Sequence, residues 1–133
     1  MHMIVCLDQR DGMLFGGRRQ SRDREVCSRM LERAAESCLW MNEYSARIFP
    51  PDAPVQVDEA FLAAAQEGEF CFVENADLTA VADRVESITV YRWQKVYPAD
   101  VRFPWELFPR HRLVRTTEFS GFSHEQVLEE VYE

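Results

Sequence analysis

The chain opens with five apolar residues in a row, Met3-Ile4-Val5-Cys6-Leu7, closed by the polar run Asp8 to Gly12. A short, uninterrupted apolar run bounded by turn residues predicts a strand buried on both faces. From Ser21 the period changes. Val26, Met30 and Ala34 recur every fourth residue beside Cys27, Leu31 and Ala35, and Ser21 is a suitable N-cap. This predicts an amphipathic helix over about 22–36 with arginines on its outer face. Cys38-Leu39-Trp40-Met41 predicts a second buried strand. Asn42 then caps a brief helix carrying Tyr44, Ile48 and Phe49, which Pro50-Pro51 ends.

Val55-Gln56-Val57 reads as an edge strand. Asp58 is expected to cap a helix that turns Phe61, Leu62 and Ala65 inward and stops at Gly68. Phe70-Cys71-Phe72-Val73 is a third buried strand, with a short helix expected over about 76–82. Ser87 to Trp93, rich in β-branched and aromatic residues, predicts a longer strand. Beyond it the helical period is absent. A proline-containing loop leads to two extended segments, Arg112–Phe119 and Val127–Tyr132, joined by a turn at Ser120-Gly121. Strands alternating with helices, then a terminal hairpin, predict an α/β fold: a three-layer, open, mainly parallel sheet with an antiparallel C-terminal hairpin. The strands at 3–7, 38–41, 70–73 and 87–93 should be central. No repeat, low-complexity tract or linker interrupts residues 1–133, so a single domain is expected.

In an open sheet of this kind ligands gather beyond the carboxyl ends of the strands. Those ends carry Asp8 to Gly12, Asn42 to Ser45 and Glu74 to Asp77. The stretch Arg18-Arg19-Gln20-Ser21-Arg22-Asp23 sets guanidinium forks beside a carboxylate at a helix start, a means of gripping an anion or a polar heterocycle. The candidate ligand-binding residues are therefore Arg18, Arg19, Gln20 and Ser21, with Asn42, Ser45 and Asn75 at the neighbouring strand ends. Asp23 is the candidate acid–base residue, a role that needs partial burial facing a cleft to raise its pKa. Its other reading is a first-turn aspartate favourable to the helix dipole.

Composition narrows the classes. An apolar fraction of 47% and a charged fraction of 29% are those of a soluble globular chain. No apolar run approaches the roughly 20 residues of a membrane span and no signal-peptide pattern is present, so a cytoplasmic protein is expected. A net charge of -8 argues against nucleic acid and anionic lipid as partners. Against that balance, Arg10, Arg18, Arg19, Arg22, Arg24, Arg29 and Arg33 concentrate positive charge early in the chain. They form either a solvated helix face or a site for an anionic small molecule or acidic partner. Cys6, Cys27, Cys38 and Cys71 form no CxxC pair and read as buried reduced thiols. His2, His111 and His124 are isolated, so no metal site is expected. Ser45, Ser123, His124 and Asp100 supply the residue types of a hydrolase triad. Neither serine lies in a nucleophile-elbow glycine pattern, however, and a triad is not expected.

The order of features resembles the dihydrofolate reductase family. Met3 to Asp8 is similar to its first strand, Gln9-Arg10-Asp11-Gly12 to its polar turn, and Asp23 to the catalytic carboxylate at the start of its next helix. Leu39-Trp40-Met41-Asn42 resembles its second strand, with Ser45 matching a phosphate-facing hydroxyl. Gly68 to Val73 resembles the strand before its glycine pair, Pro98 to Pro104 the segment before its final hairpin, and His124 to Tyr132 its closing strand. The resemblance implies this fold and a heterocycle near Asp23. The departures fall on the cofactor. Glu74-Asn75-Ala76 stands where the family has adjacent glycines, and Glu43 where it has a phosphate-binding arginine. The loop between Gly12 and Asp23 is also shorter than the family's active-site loop and lacks its Pro-Trp element. A carboxylate repels a pyrophosphate and side chains crowd it. The cofactor is therefore left unassigned. The expected function is a small-ligand-binding or regulatory protein that has lost the usual NADPH site. The alternatives are a reductase of a pterin- or flavin-like heterocycle and a protein-interaction module using the Arg-rich helix. An anionic or heterocyclic small molecule is the expected partner.

Overall fold

The computed structural model describes residues 1–133. The first apolar run forms strand β1 (His2–Leu7), which lies in the middle of a seven-stranded sheet. After it come β2 (Gly12–Phe15), β3 (Arg18–Arg19), helix α1 (Arg24–Arg33), β4 (Leu39–Met41), α2 (Glu43–Ala46), β5 (Val55–Val57), α3 (Phe61–Ala64) and β6 (Phe70–Phe72). The chain continues through β7 (Ser87–Trp93), β8 (Val101–Arg102), β9 (Leu113–Phe119) and β10 (Val127–Tyr132). The main sheet has the order β5-β4-β6-β1-β7-β10-β9. β1 pairs in parallel with both β6 and β7, whereas β10 runs antiparallel to β7 and β9. This is the mainly parallel sheet with an antiparallel C-terminal hairpin that the pattern predicts.

Alternation along β1 divides the core in two. Met3, Val5 and Leu7 join Phe61, Cys71 and Val90 on one face, under Phe103 and Phe108. Ile4 points to the other face, where Val26 and Met30 of α1 meet Leu39, Phe72 and Trp93. Each such side chain, once fully buried, stabilises the fold by about 1.5–3 kcal/mol. All four cysteines are free thiols. Burial raises the pKa of Cys27 to about 11 and that of Cys71 to about 12.

Several element boundaries differ from the sequence expectation. α1 is capped by Asp23, not Ser21. Asp23 has the extended backbone of a cap and its Oδ1 accepts from the N–H groups of Glu25 (2.8 Å) and Val26 (3.3 Å). α1 also stops at Arg33 rather than 36, because Ala34 leaves the helical region. α3 has no side-chain cap: Asp58 instead closes a turn, accepting from the Ala60 N–H at 2.8 Å. The helix expected over 76–82 is absent. Asp77 holds a turn through the Thr79 N–H, and a single 3-10 turn follows at Ala82–Arg84.

A second, three-stranded sheet, β3-β2-β8, occupies what reads as loop. Its hairpin turns at Gly16 and Gly17, with φ of 59° and 75°. Both central residues of such a two-residue turn need positive φ, which glycine adopts without a Cβ clash. The practical result is that Arg18 and Arg19 belong to a strand, not to the start of α1.

Candidate functional site

The carboxyl ends of β1, β4 and β6 meet where the open-sheet rule places a ligand. The carboxylate of Glu74, just beyond β6, is buried there. It accepts from Arg19 through Nε at 2.8 Å and Nη2 at 2.9 Å, and from the Ser45 hydroxyl at 2.8 Å. The Arg19 guanidinium also donates to the Tyr44 carbonyl at 3.1 Å and lies over the Tyr44 ring, 4.1 Å from its centroid. Burial works against its charge, but the pairing with Glu74 outweighs this and raises its pKa. Beside the pair, Asn42 donates to Asn75 at 2.8 Å while capping α2 through the Ser45 N–H. Four expected ligand-binding residues, Arg19, Asn42, Ser45 and Asn75, are thus brought together, but they bind one another and Glu74. The space left among Cys6, Met13, Arg19, Gln20, Glu74 and Trp93 is about 10 Å³.

Asp8 organises the turn after β1. Its Oδ1 accepts from the Arg10 and Gly12 N–H groups (2.8 and 2.9 Å), and its Oδ2 from Gln20 Nε2 and the Tyr97 N–H (2.9 and 3.0 Å). Gln20 is therefore committed to a carboxylate, although its Oε1 is buried without a partner. Arg18 is exposed on the short strand β3 and lines neither of the larger concavities.

Asp23 departs most from expectation. It is not half-exposed but buried, with a side chain 0% exposed. Its Oδ1 caps α1 and accepts from the Phe122 N–H at 2.9 Å. Its Oδ2 accepts from the Ser123 N–H at 2.9 Å, the Ser123 hydroxyl at 3.2 Å and His124 Nδ1 at 2.8 Å. Burial disfavours the charge, but the Phe122 N–H, the His124 ring and the other N–H donors outweigh it. They hold the carboxyl well below the usual carboxylate range. Acid–base catalysis near neutral pH needs the opposite shift, so this environment does not favour the acid–base role expected of Asp23.

His124 reaches further. Its other nitrogen, Nε2, is 2.9 Å from the Ser21 hydroxyl, and its ring stacks on Trp93 with centroids 4.5 Å apart. Ser21, freed from capping, lies at the edge of an open concavity of about 610 Å³ lined by Arg22, Lys95, Tyr97, His124 and Glu125. A second concavity of about 490 Å³ opens across Asp23, between Arg24, Leu31 and Phe122. The Ser45 and Asp100 of the hydrolase residue types lie elsewhere: Ser45 on Glu74, Asp100 accepting from the Gly16 N–H at 3.0 Å. Nowhere do three His, Cys, Asp or Glu side chains gather into a set able to hold a metal ion.

The sequence places Arg22 in the Arg-rich stretch and offers His124 as a triad residue type, but marks neither as a ligand-binding candidate, and it gives no sign of Lys95 or Tyr97. Ser21 and His124 are 103 positions apart, and no local motif marks their meeting. The accessible hint was the turn Ser120-Gly121, whose tightness brings residues 122–124 back over the helix start. Gly121 donates its N–H to the His124 carbonyl at 2.8 Å, and a Cβ there would lie 2.7 Å from Asp23 Oδ2 and 2.9 Å from the His124 carbonyl oxygen. Gly121→Ala is therefore expected to cost about 1–3 kcal/mol by overpacking. It should also shift the His124 ring resonances in NMR spectra. Unchanged stability and unchanged ring shifts would show that the turn has slack.

No protein-family model matches the sequence, and no curated protein does. Among solved structures, the chain is similar to a dihydrofolate reductase from Enterococcus faecalis complexed with NADP(H) and RAB-propyl. The TM-score is 0.68 over 99% of this chain and 94% of that one, at 13% identity. The chain therefore has a dihydrofolate reductase-like fold, in a divergent sequence. No helix is long and apolar enough to cross a membrane.

Proposed function

We propose that the protein binds a small polar molecule bearing an anionic group, in the concavity beside His124, and that it does so without NADPH. The observation that carries this reading is the placement of Arg22 and Lys95 around one open space of about 610 Å³, together with the aromatic Tyr97. Two cations around a concave site favour an anion, and an aromatic wall favours a planar body.

A nicotinamide dinucleotide does not fit the residues present at the place the fold would offer it. Glu74 stands at the end of β6 with its carboxylate buried on Arg19 and Ser45, where the resembling family has glycine. The space beside it is about the size of one water molecule. Glu43 adds a second negative charge at the start of α2. The interaction-module alternative has less support because α1 turns its arginines back on the protein. Arg24 lies over Phe122 at 4.3 Å and Arg29 over Phe119 at 3.8 Å.

Titration of ¹⁵N-labelled protein with phenyl phosphate and, separately, NADPH tests the reading. Phenyl phosphate is expected to move the amides of Arg22, Lys95 and residues 123–126, and the double variant Arg22→Glu/Lys95→Glu to abolish the effect. Micromolar NADPH is expected to leave residues 74–76 and the melting temperature unchanged, since a ligand of the folded state raises it by mass action. A saturable NADPH shift would restore the reductase alternative. Phenyl phosphate perturbations that bypass the concavity would remove the proposed site.

A further inference from the structure

We propose that Ser21, His124 and Asp23 form a nucleophilic serine site that transfers acyl groups from small esters to water. The proposal rests on the concavity beside His124 being the ligand site. The geometry is that of a relay. Asp23 Oδ2 accepts from His124 Nδ1 at 2.8 Å, and His124 Nε2 meets the Ser21 hydroxyl at 2.9 Å. A carboxylate on Nδ1 keeps the proton on that nitrogen, leaving the Nε2 lone pair to accept from Ser21. Each member suits its part. Asp23 is buried, ionised and immobilised by four backbone N–H groups, as a positioning carboxylate must be. The imidazole is oriented by that carboxylate and by the Trp93 face. Ser21 is half-buried and borders the open space, so a substrate carbonyl has room to reach Oγ.

The same constellation arises on unrelated folds and is recognised by geometry and roles, not by sequence position. Here Oγ attacks the ester carbonyl carbon while its proton passes to His124 Nε2. The tetrahedral adduct collapses, its bond to the alkoxy oxygen breaks, and the departing alcohol takes the proton from Nε2. Water then adds to the acyl-Ser21 carbonyl and gives a proton to Nε2. The bond from carbon to Oγ breaks, Oγ recovers that proton, and the carboxylic acid leaves. Arg22 and Lys95 line the same space and supply positive charge for the oxyanion and for an acid-bearing substrate. The backbone N–H groups of Ser21 and Arg22 have no partner within the protein, leaving them as further donors. Three residues would also sit this way if they merely tied the 120–124 turn to the start of α1, and the test separates the two.

The protein is treated with a small fluorophosphonate, which phosphonylates an activated serine with loss of fluoride, and the adduct is located by peptide mass mapping. One adduct per chain is expected, on Ser21. It should be absent in Ser21→Ala and formed about 100-fold or more slowly in His124→Gln, the scale of a lost general base. Thermal melts confirm that each variant is folded. p-Nitrophenyl acetate hydrolysis should follow the same ranking. No adduct on the folded wild type, an adduct on another residue, or labelling indifferent to His124 would overturn the relay. Labelling reads the reactivity of Ser21, whereas the phenyl phosphate titration reads anion binding. Amide perturbation without labelling therefore removes the nucleophile and keeps the binding site; labelling without perturbation does the reverse.

Discussion

Glu74→Ala is expected to destabilise the protein by about 3–5 kcal/mol, the cost of stripping one partner from a buried ion pair. The Glu74 side chain is 6% exposed and that of Arg19 is 19% exposed, so water cannot fully replace the lost carboxylate. Its removal leaves the guanidinium facing Cys6 and Met13 and deprives Ser45 of its 2.8 Å acceptor. The pair itself contributes less than this loss suggests, because both ions were first taken out of water. Arg19→Met/Glu74→Leu, of similar volume and without charge, is therefore expected to recover most of the stability. Urea unfolding of Arg19→Met, Glu74→Leu and the double variant gives the coupling energy. A Glu74→Ala loss below about 1 kcal/mol would mean that Arg19 finds water, and that the space above β1 is more open than the packing indicates.

Asp23→Ala should cost about 3 kcal/mol at neutral pH, combining about 1 kcal/mol for the helix cap with about 1.5–3 kcal/mol for charge-assisted bonds to the 122–124 turn. The pH dependence identifies the cause. The folded-state pKa of Asp23 is depressed, so its stabilisation is complete above the unfolded value of about 3.9 and is lost as pH falls through the lower folded value. The gap between wild type and Asp23→Ala should be constant from pH 7 to about pH 5 and narrow progressively below about pH 4. A gap equally wide at pH 3 would assign the loss to packing. Because Asp23 both caps α1 and orients His124, stability tests its structural part. The Ser21 and His124 variants test the chemistry.

The strand positions were legible because burial on both faces of a sheet leaves a local mark. The apolar runs at 3–7, 70–73 and 87–93 appear as β1, β6 and β7, and the C-terminal pairing follows from two extended segments around one turn. Short helices were less legible, since a single turn such as 82–84 has too few positions to show a period. The β2–β3 hairpin has a readable signal in Gly16-Gly17, although the polar residues around it read as loop. At the site, sequence singled out the strand ends that carry Asp8, Asn42 and Glu74, and the residues Arg19, Ser21 and Asp23. It did not show which charge each would meet.

The sequence by itself determined the sheet, the amphipathic face of α1 and the negative charge at Glu74, since each depends on residue type and near neighbours. Tertiary structure alone decided that Arg19 and Glu74 neutralise each other, and that Asp23 is held ionised under the 122–124 turn. It also decided that His124 stands between Asp23 and Ser21. The reason is physical. A pKa, an ion pair or a relay depends on distances of about 3 Å between groups 55 to 103 residues apart, and those distances exist only after the chain has closed on itself.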